Sequence, residues 1–243
     1  MKKGNKNLII GIVTVAVIFV VYLFYISGPQ ISAIGNSELT VKPDMISVYA
    51  TSQVRNTSSS FAQEKVIELS DKFVLELEKI GITEEDIELS NYNVYEDFDW
   101  SSSSRKSLGF IASQSITVKL IDFDKTSQVI KAATNAGITI SGINYELSID
   151  KQNEYKAEAM KKAGIDARTK ATALASGFNR GLGRLVSVQS NDYGYRPYPL
   201  FAKSAEGGVA DSNVQAETAV SSMSPSDLTV TANVEATYSM TRF

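Results

Sequence analysis

Neither cysteine nor histidine occurs among the 243 residues. Without cysteine the chain has no disulfide framework, no thiolate nucleophile and no thiol to carry a lipid. Without histidine it lacks the usual general base near neutral pH, every Ser-His-Asp arrangement and nearly all zinc sites. An excess of positive charge is also missing. The formal net charge is -3, and Lys2, Lys3 and Lys6 all stand at the extreme N-terminus, so the rest is more acidic still. Such a balance argues against a nucleic-acid partner.

Charge is absent altogether from residues 8–26, LIIGIVTVAVIFVVYLFYI. An apolar run of about 20 residues spans a hydrocarbon core of about 30 Å as a helix, and lysines on its N-terminal side orient that end inward. The expectation is therefore a cytoplasmic tail over 1–7, a transmembrane helix over 8–26 and an extracytoplasmic domain over 30–243. The protein would be single-pass in a cytoplasmic membrane, its C-terminal domain outside and its membrane contact the N-terminal helix. The competing reading is a cleaved signal peptide; the run is longer than an ordinary signal core, and Ser27-Gly28-Pro29 makes a poor cleavage site.

Beyond Pro29, Ile31–Val41 and Met45–Val54 read as strands parted by Lys42-Pro43-Asp44. Ser60 and Gln63 have capping-box spacing, and Val66, Leu69, Phe73, Leu77 and Ile80 recur at helical intervals up to Gly81. Strands follow at 87–95 and 109–121, on either side of a serine-rich tip at 101–104. A short helix opened by Asp124 closes at Gly137, and a strand over 143–149 leads into the longest helix, from Asp150 to about Phe178. In that helix Ala159, Ala163, Ala167, Ala171 and Ala175 form a narrow face suited to lying on a sheet. Glu158 before Lys162 and Asp166 before Lys170 are acid-before-base pairs one turn apart. Leu185–Gln189 reads as a short strand, and 228–240 alternates apolar and polar residues throughout. Between them, 191–227 carries no sustained period and reads as an irregular loop. The order suggests an α+β domain of mixed or antiparallel strands with packed helices.

Several pieces together resemble the SIMPL-domain family of bacterial and archaeal secreted or envelope proteins. They are Gly35 and Glu38 followed by Lys42-Pro43-Asp44; Glu85-Asp86-Ile87 and Ser90-Asn91 after the helix ending at Gly81; Gly109 to Gln114; and Gly142-Ile143. Asp166-Ala167-Arg168, Lys170-Ala171, Leu182-Gly183-Arg184 and the alternating final strand continue the likeness, which spans nearly all of 31–238. The resemblance implies an extracytoplasmic domain prone to self-association, sometimes linked to envelope stress, with no catalytic residues to carry over.

Chemistry-bearing patterns are sparse. Ser103-Ser104-Arg105-Lys106 and Ser148-Ile149-Asp150-Lys151 both fit S-x-x-K, but the companion motifs of penicillin-binding proteins are missing. Gly177, Gly181 and Gly183 follow a helix rather than a strand, the reverse of a dinucleotide fingerprint. Glu96, Asp97 and Asp99 lack the glycine and closing glutamate of a calcium loop. No cofactor, metal or catalytic residue is assigned. Two aromatic groups outside the regular elements are candidate contact residues: Tyr92, Tyr95, Phe98 and Trp100, and Tyr193, Tyr195, Tyr198 and Phe201. The functional expectation is a non-enzymatic envelope protein that self-associates as a homo-oligomer or binds an envelope partner. The alternative is a cell-envelope hydrolase using carboxylates or a Ser-Lys pair.

Overall fold

The computed structural model describes residues 15–18, 29–99, 106–202, 209–222 and 225–242. Within them the architecture is α+β with antiparallel sheets. Eight strands are present: β1 (Gln30–Val41), β2 (Met45–Asn56), β3 (Ile87–Asp99), β4 (Lys106–Leu120), β5 (Thr139–Glu146), β6 (Arg180–Tyr195), β7 (Tyr198–Ala202) and β8 (Leu228–Arg242). Four helices alternate with them: α1 (Ser59–Lys79), α2 (Thr126–Ala136), α3 (Ile149–Gly177) and α4 (Val209–Ser222).

The N-terminal anchor is corrected. Of the run over 8–26, only residues 15–18 are described, as helix. Among the described residues no helix is long and apolar enough to cross a membrane. The single-pass topology and the cytoplasmic-membrane placement built on it therefore lose their structural basis; residues 1–14 and 19–28 lie outside the described residues.

The chain forms two compact units, each assembled from separated segments. The first comprises Met1–Leu39, Tyr155–Gly194 and Val230–Phe243. Its sheet has the order β1-β8-β6. Ala33 and Leu39 on β1 and Val230, Ala232, Val234 and Ala236 on β8 are buried, as are all five alanines of the α3 stripe. With nothing larger than a methyl on that stripe, helix and strand backbones approach closely enough to bond side chains across the gap. Ser37 Oγ donates to the Ala159 carbonyl at 2.7 Å, the Asn36 amide to Asp166 Oδ2 at 2.8 Å, and Lys170 Nζ to the Ile34 carbonyl at 3.1 Å. The expected pairs form too, Lys162 with Glu158 at 2.9 Å and Lys170 with Asp166 at 2.6 Å.

The second unit comprises Thr40–Glu154 and Tyr195–Thr229. Its five-stranded sheet has the order β3-β4-β2-β5-β7, antiparallel at every pairing. Alternation along the strands sends Ile46, Val48 and Ala50 of β2 and Ile116, Val118 and Leu120 of β4 into one buried face. Against that cluster pack Phe73 and Leu77 of α1, Val129, Ile130 and Ala133 of α2, and Ala216 of α4. The cap of α1 is Ser58, whose Oγ accepts the Phe61 amide at 3.4 Å, two residues earlier than the capping-box spacing places it. Helix α2 stops at Gly137, whose φ of 78° is left-handed and thus suited to glycine.

The segment 191–227, expected to be irregular, instead holds the end of β6, all of β7 and α4. Helix α4 buries its polar Ser212 and Asn213 alongside Ala216, so its inward face carries little of the apolar period that reveals a helix. Asn213 is the pin: Nδ2 donates to the Ile138 carbonyl at 2.9 Å and to Thr134 Oγ1 at 3.0 Å, while Oδ1 accepts the Ile140 amide at 2.8 Å.

Candidate functional site

The first aromatic group lies on β3, the outermost strand of the five-stranded sheet. Its ladder to β4 slips between Ser90 and Asn93, where Asn91 takes a φ of 49°. One extra residue on β3 makes this a bulge, which bends the strand and re-aims its side chains. Tyr92 at the bulge and Tyr95 beyond it are exposed, at 44% and 52%. Tyr95 stands opposite Ile111 of β4, a cross-strand pair on the sheet face turned away from the helices. Phe98 is half-buried near the end of the strand, and Trp100 lies outside the described residues. Beside this edge Asp97 is engaged by Arg55 of β2 at 2.6 Å.

The second group divides. Tyr193 falls within β6, but its side chain is outside the described part. Tyr195 is structural: its hydroxyl oxygen accepts the Leu147 amide at 2.6 Å, tying the end of β6 to the end of β5. Tyr198 is exposed on β7 opposite Tyr145, and Phe201 is half-buried opposite Ile143, packed against the core. Five of the eight aromatics are thus partly or wholly absorbed by the fold or undescribed, and Tyr92, Tyr95 and Tyr198 are left on the surface.

Sequence reading missed a longer feature. Strand β6 pairs with β8 on one side and, among the described residues, forms the edge of its sheet. From Arg184 to Ser190 every residue is exposed, including Leu185 at 50%, Val186 at 42% and Val188 at 53%. A long edge strand with exposed apolar side chains and a free ladder is the arrangement that proteins ordinarily blunt with charge, proline or a covering loop. From Leu185 through Gln189 there is neither charge nor proline. The composition of 185–189 signals a strand; that the strand is an edge depends on β8 inserting beside it from 40 residues downstream.

The serine and lysine of the 148–151 pattern are committed elsewhere. Ser148 Oγ donates to Asp44 Oδ2 at 2.6 Å and accepts the Lys151 amide at 3.4 Å, while the Lys151 ammonium binds Glu154 at 2.7 Å. The S-x-x-K pattern at 148–151 is therefore a helix cap followed by a surface ion pair, not a Ser-Lys dyad. On the outer face of the five-stranded sheet, Glu146 accepts from Ser47 Oγ and from Tyr49 Oη, each at 2.8 Å. Burial above all, then the hydrogen bond to Glu146 and its charge, hold the Tyr49 phenol above the usual range. The residues 103–106 lie partly outside the described chain.

The family described as "SIMPL: Protein of unknown function (DUF541)" matches residues 31–238. A protein from Escherichia coli K12 titled "Uncharacterized protein YggE" is 27% identical over 174 residues, covering 71% of this chain and 70% of its own. Its counterpart in Edwardsiella ictaluri is 25% identical, covering 71% of this chain and 72% of its own. The "26 kDa periplasmic immunogenic protein" of Brucella melitensis is 24% identical over 180 residues, covering 70% of each. A solved structure, "The crystal structure of AtUAH in complex with (S)-hydroxyglycine", overlays with a TM-score of 0.20 and 17% identity over 54% of this chain and 34% of that one, too distant to inform the fold.

Proposed function

The chain belongs to the SIMPL family, and from that premise we propose that it is a non-enzymatic, extracytoplasmic envelope protein that works by associating with further copies of itself. The extracytoplasmic placement is supported by the relative from Brucella melitensis, which is named as periplasmic. The non-enzymatic reading is supported by the absence of histidine and cysteine and by the structural employment of Ser148 and Lys151.

The observation that carries the self-association reading is the edge of β6, unpaired among the described residues. A strand adds to such an edge through main-chain hydrogen bonds, with alternate side chains supplying specificity. The occupant that fits is the β6 edge of a second copy running antiparallel, which makes a two-fold, self-complementary contact. Two three-stranded sheets joined in this way form one continuous sheet and cover Leu185, Val186 and Val188 on both partners. Light scattering on the purified chain across a concentration series tests the reading. A dimer or higher oligomer that Val186→Lys dissociates is the expected result; a strict monomer at all concentrations, or an oligomer indifferent to Val186→Lys and Val188→Lys, overturns it.

A further inference from the structure

At one end of the five-stranded sheet, between the start of α2 and the end of α4, lies a cleft of about 400 Å³. Its walls are set by Ile46 of β2, Phe123 just ahead of α2, Tyr145 of β5 and Val220 of α4, with Asp124 and Ser221 among the polar lining. The rings of Phe123 and Tyr145 stand 5.7 Å apart, tilted at 45°.

Two features make this more than a gap between elements. Tyr145 is only 4% exposed, yet its hydroxyl has no hydrogen-bond partner among the described residues. A buried phenol almost always finds one. The oxygen is nevertheless not sealed, since no side-chain polar atom is both buried and unpartnered among the described residues. The hydroxyl therefore keeps some accessible surface, and Tyr145 is one of the residues that line the cleft. The second feature is charge: Asp124 is the sole ionised side chain of the lining and forms no ion pair among the described residues. The neighbouring Lys125 is turned to the Gly81 carbonyl at 3.0 Å.

We propose that this cleft binds a small organic cation with a compact apolar body, its ammonium group held by Asp124 and the Tyr145 hydroxyl and its body seated against Phe123, Ile46 and Val220. Each property of the ligand answers a property of the site. A carboxylate or phosphate would bring like charge to Asp124. A plain hydrocarbon would cover the Tyr145 hydroxyl without a partner. An ammonium donates to both oxygens and lies beside two aromatic rings, whose faces attract cations. Burial raises the Tyr145 pKa, so the phenol stays neutral and able to accept an N–H at physiological pH.

Three probes of one shape separate charge from fit: cyclohexylmethylammonium, cyclohexylmethanol and cyclohexanecarboxylate, titrated into the full chain by calorimetry, with amide chemical-shift changes locating the site. The expected result is saturable binding of the ammonium, at least about tenfold tighter than the alcohol, and none of the carboxylate. Asp124→Asn, at an exposed position and with an unchanged thermal melt as its control, should bring the ammonium down to the alcohol's affinity. Tyr145→Phe should weaken both, with an unchanged thermal melt as the control on folding. Failure of the ammonium to saturate, equal binding of all three probes, or indifference to Asp124→Asn overturns the proposal. Oligomeric state enters none of these readouts, so this site stands or falls apart from the β6 contact.

Discussion

Gly35 of β1 faces Ala163 and Ala167 of α3 so closely that a Cβ on Gly35 would overlap the Ala163 carbonyl oxygen and come within 2.8 Å of the Ala167 methyl. The strand and the helix are each stripped of side chain where they meet, and one without the other would not allow the contact.

Gly35→Ala should therefore be costly, because the atoms it meets are backbone and cannot rotate away. An overpacking loss of about 1–3 kcal/mol or more is expected, read as a lowered urea midpoint. Gly164→Ala, one residue along the same helix, meets nothing within 4 Å. It should be neutral or stabilise by up to roughly 1 kcal/mol, since glycine weakens a helix interior. Equal effects of the two substitutions would refute the close-approach account.

Asp44 holds the start of α3. Its two carboxylate oxygens accept the Ser148 amide at 2.8 Å and the Ser148 hydroxyl at 2.6 Å, and Ser148 Oγ in turn accepts from Lys151. Ser148→Ala should cost about 1–2 kcal/mol, the usual worth of an N-cap. Asp44→Ala should cost at least as much, and the double variant less than the sum of the two. Strict additivity in a denaturant series would show that the two residues do not act together.

Asn213 is 2% exposed and serves two main-chain groups of the Ile138–Ile140 stretch. Asn213→Leu strands a buried carbonyl and a buried amide at about 1–3 kcal/mol each. Hydrogen exchange should show the Ile140 amide and α4 losing protection first. Retained protection there would mean that apolar packing of Ala216 alone seats the helix.

Stability should fall at both ends of the pH range, for separate reasons. The neutral phenol of Tyr49 is favoured in the folded chain, by burial first and then by Glu146, and burial acts the same way on Tyr145. Their contribution is whole below the unfolded value of about 10 and is lost as pH rises through the raised folded values. Tyr49→Phe should flatten that alkaline loss. Asp166 is lowered by the hydrogen bond from Lys170, then by the Asn36 amide. Its contribution is present above the ordinary carboxylate value and is lost as pH falls through the lowered one, so Asp166→Asn should flatten the acid limb. Urea midpoints from pH 3 to 11 check both; limbs unchanged in the variants would assign the pH dependence to other groups.

Legibility in the sequence followed periodicity. The α3 alanine stripe, the alternation of β4 and β8 and the close of α2 at Gly137 are local patterns, and local sterics produce them in the folded chain. Helix α4 was hidden because its buried face is polar at Ser212 and Asn213, a choice that makes sense only once Ile138 and Ile140 stand opposite. The apolar run at 8–26 has the length and hydropathy of a span, yet among the described residues no helix is long and apolar enough to cross a membrane. The aromatic groups show the same limit. Tyr92 and Tyr195 look alike as loop-borne tyrosines, but one sits exposed on a bulge while the other is spent on the Leu147 amide. The edge of β6 and the cleft at Tyr145 arise from segments far apart in sequence and leave no local trace.

The order β1-β8-β6 places the last strand of the chain in the middle of its sheet. As the polypeptide emerges from its N-terminus, β1 and β6 are delivered first and neither is the other's neighbour. Both must wait for β8, which arrives more than 30 residues after β6 is complete. At about 5–20 residues per second that interval lasts seconds, during which two strands lack their shared partner and rely on α3 or on helper proteins for cover. A ribosome that stalls within the final strand would release a chain whose five-stranded sheet is already complete and whose three-stranded sheet cannot begin.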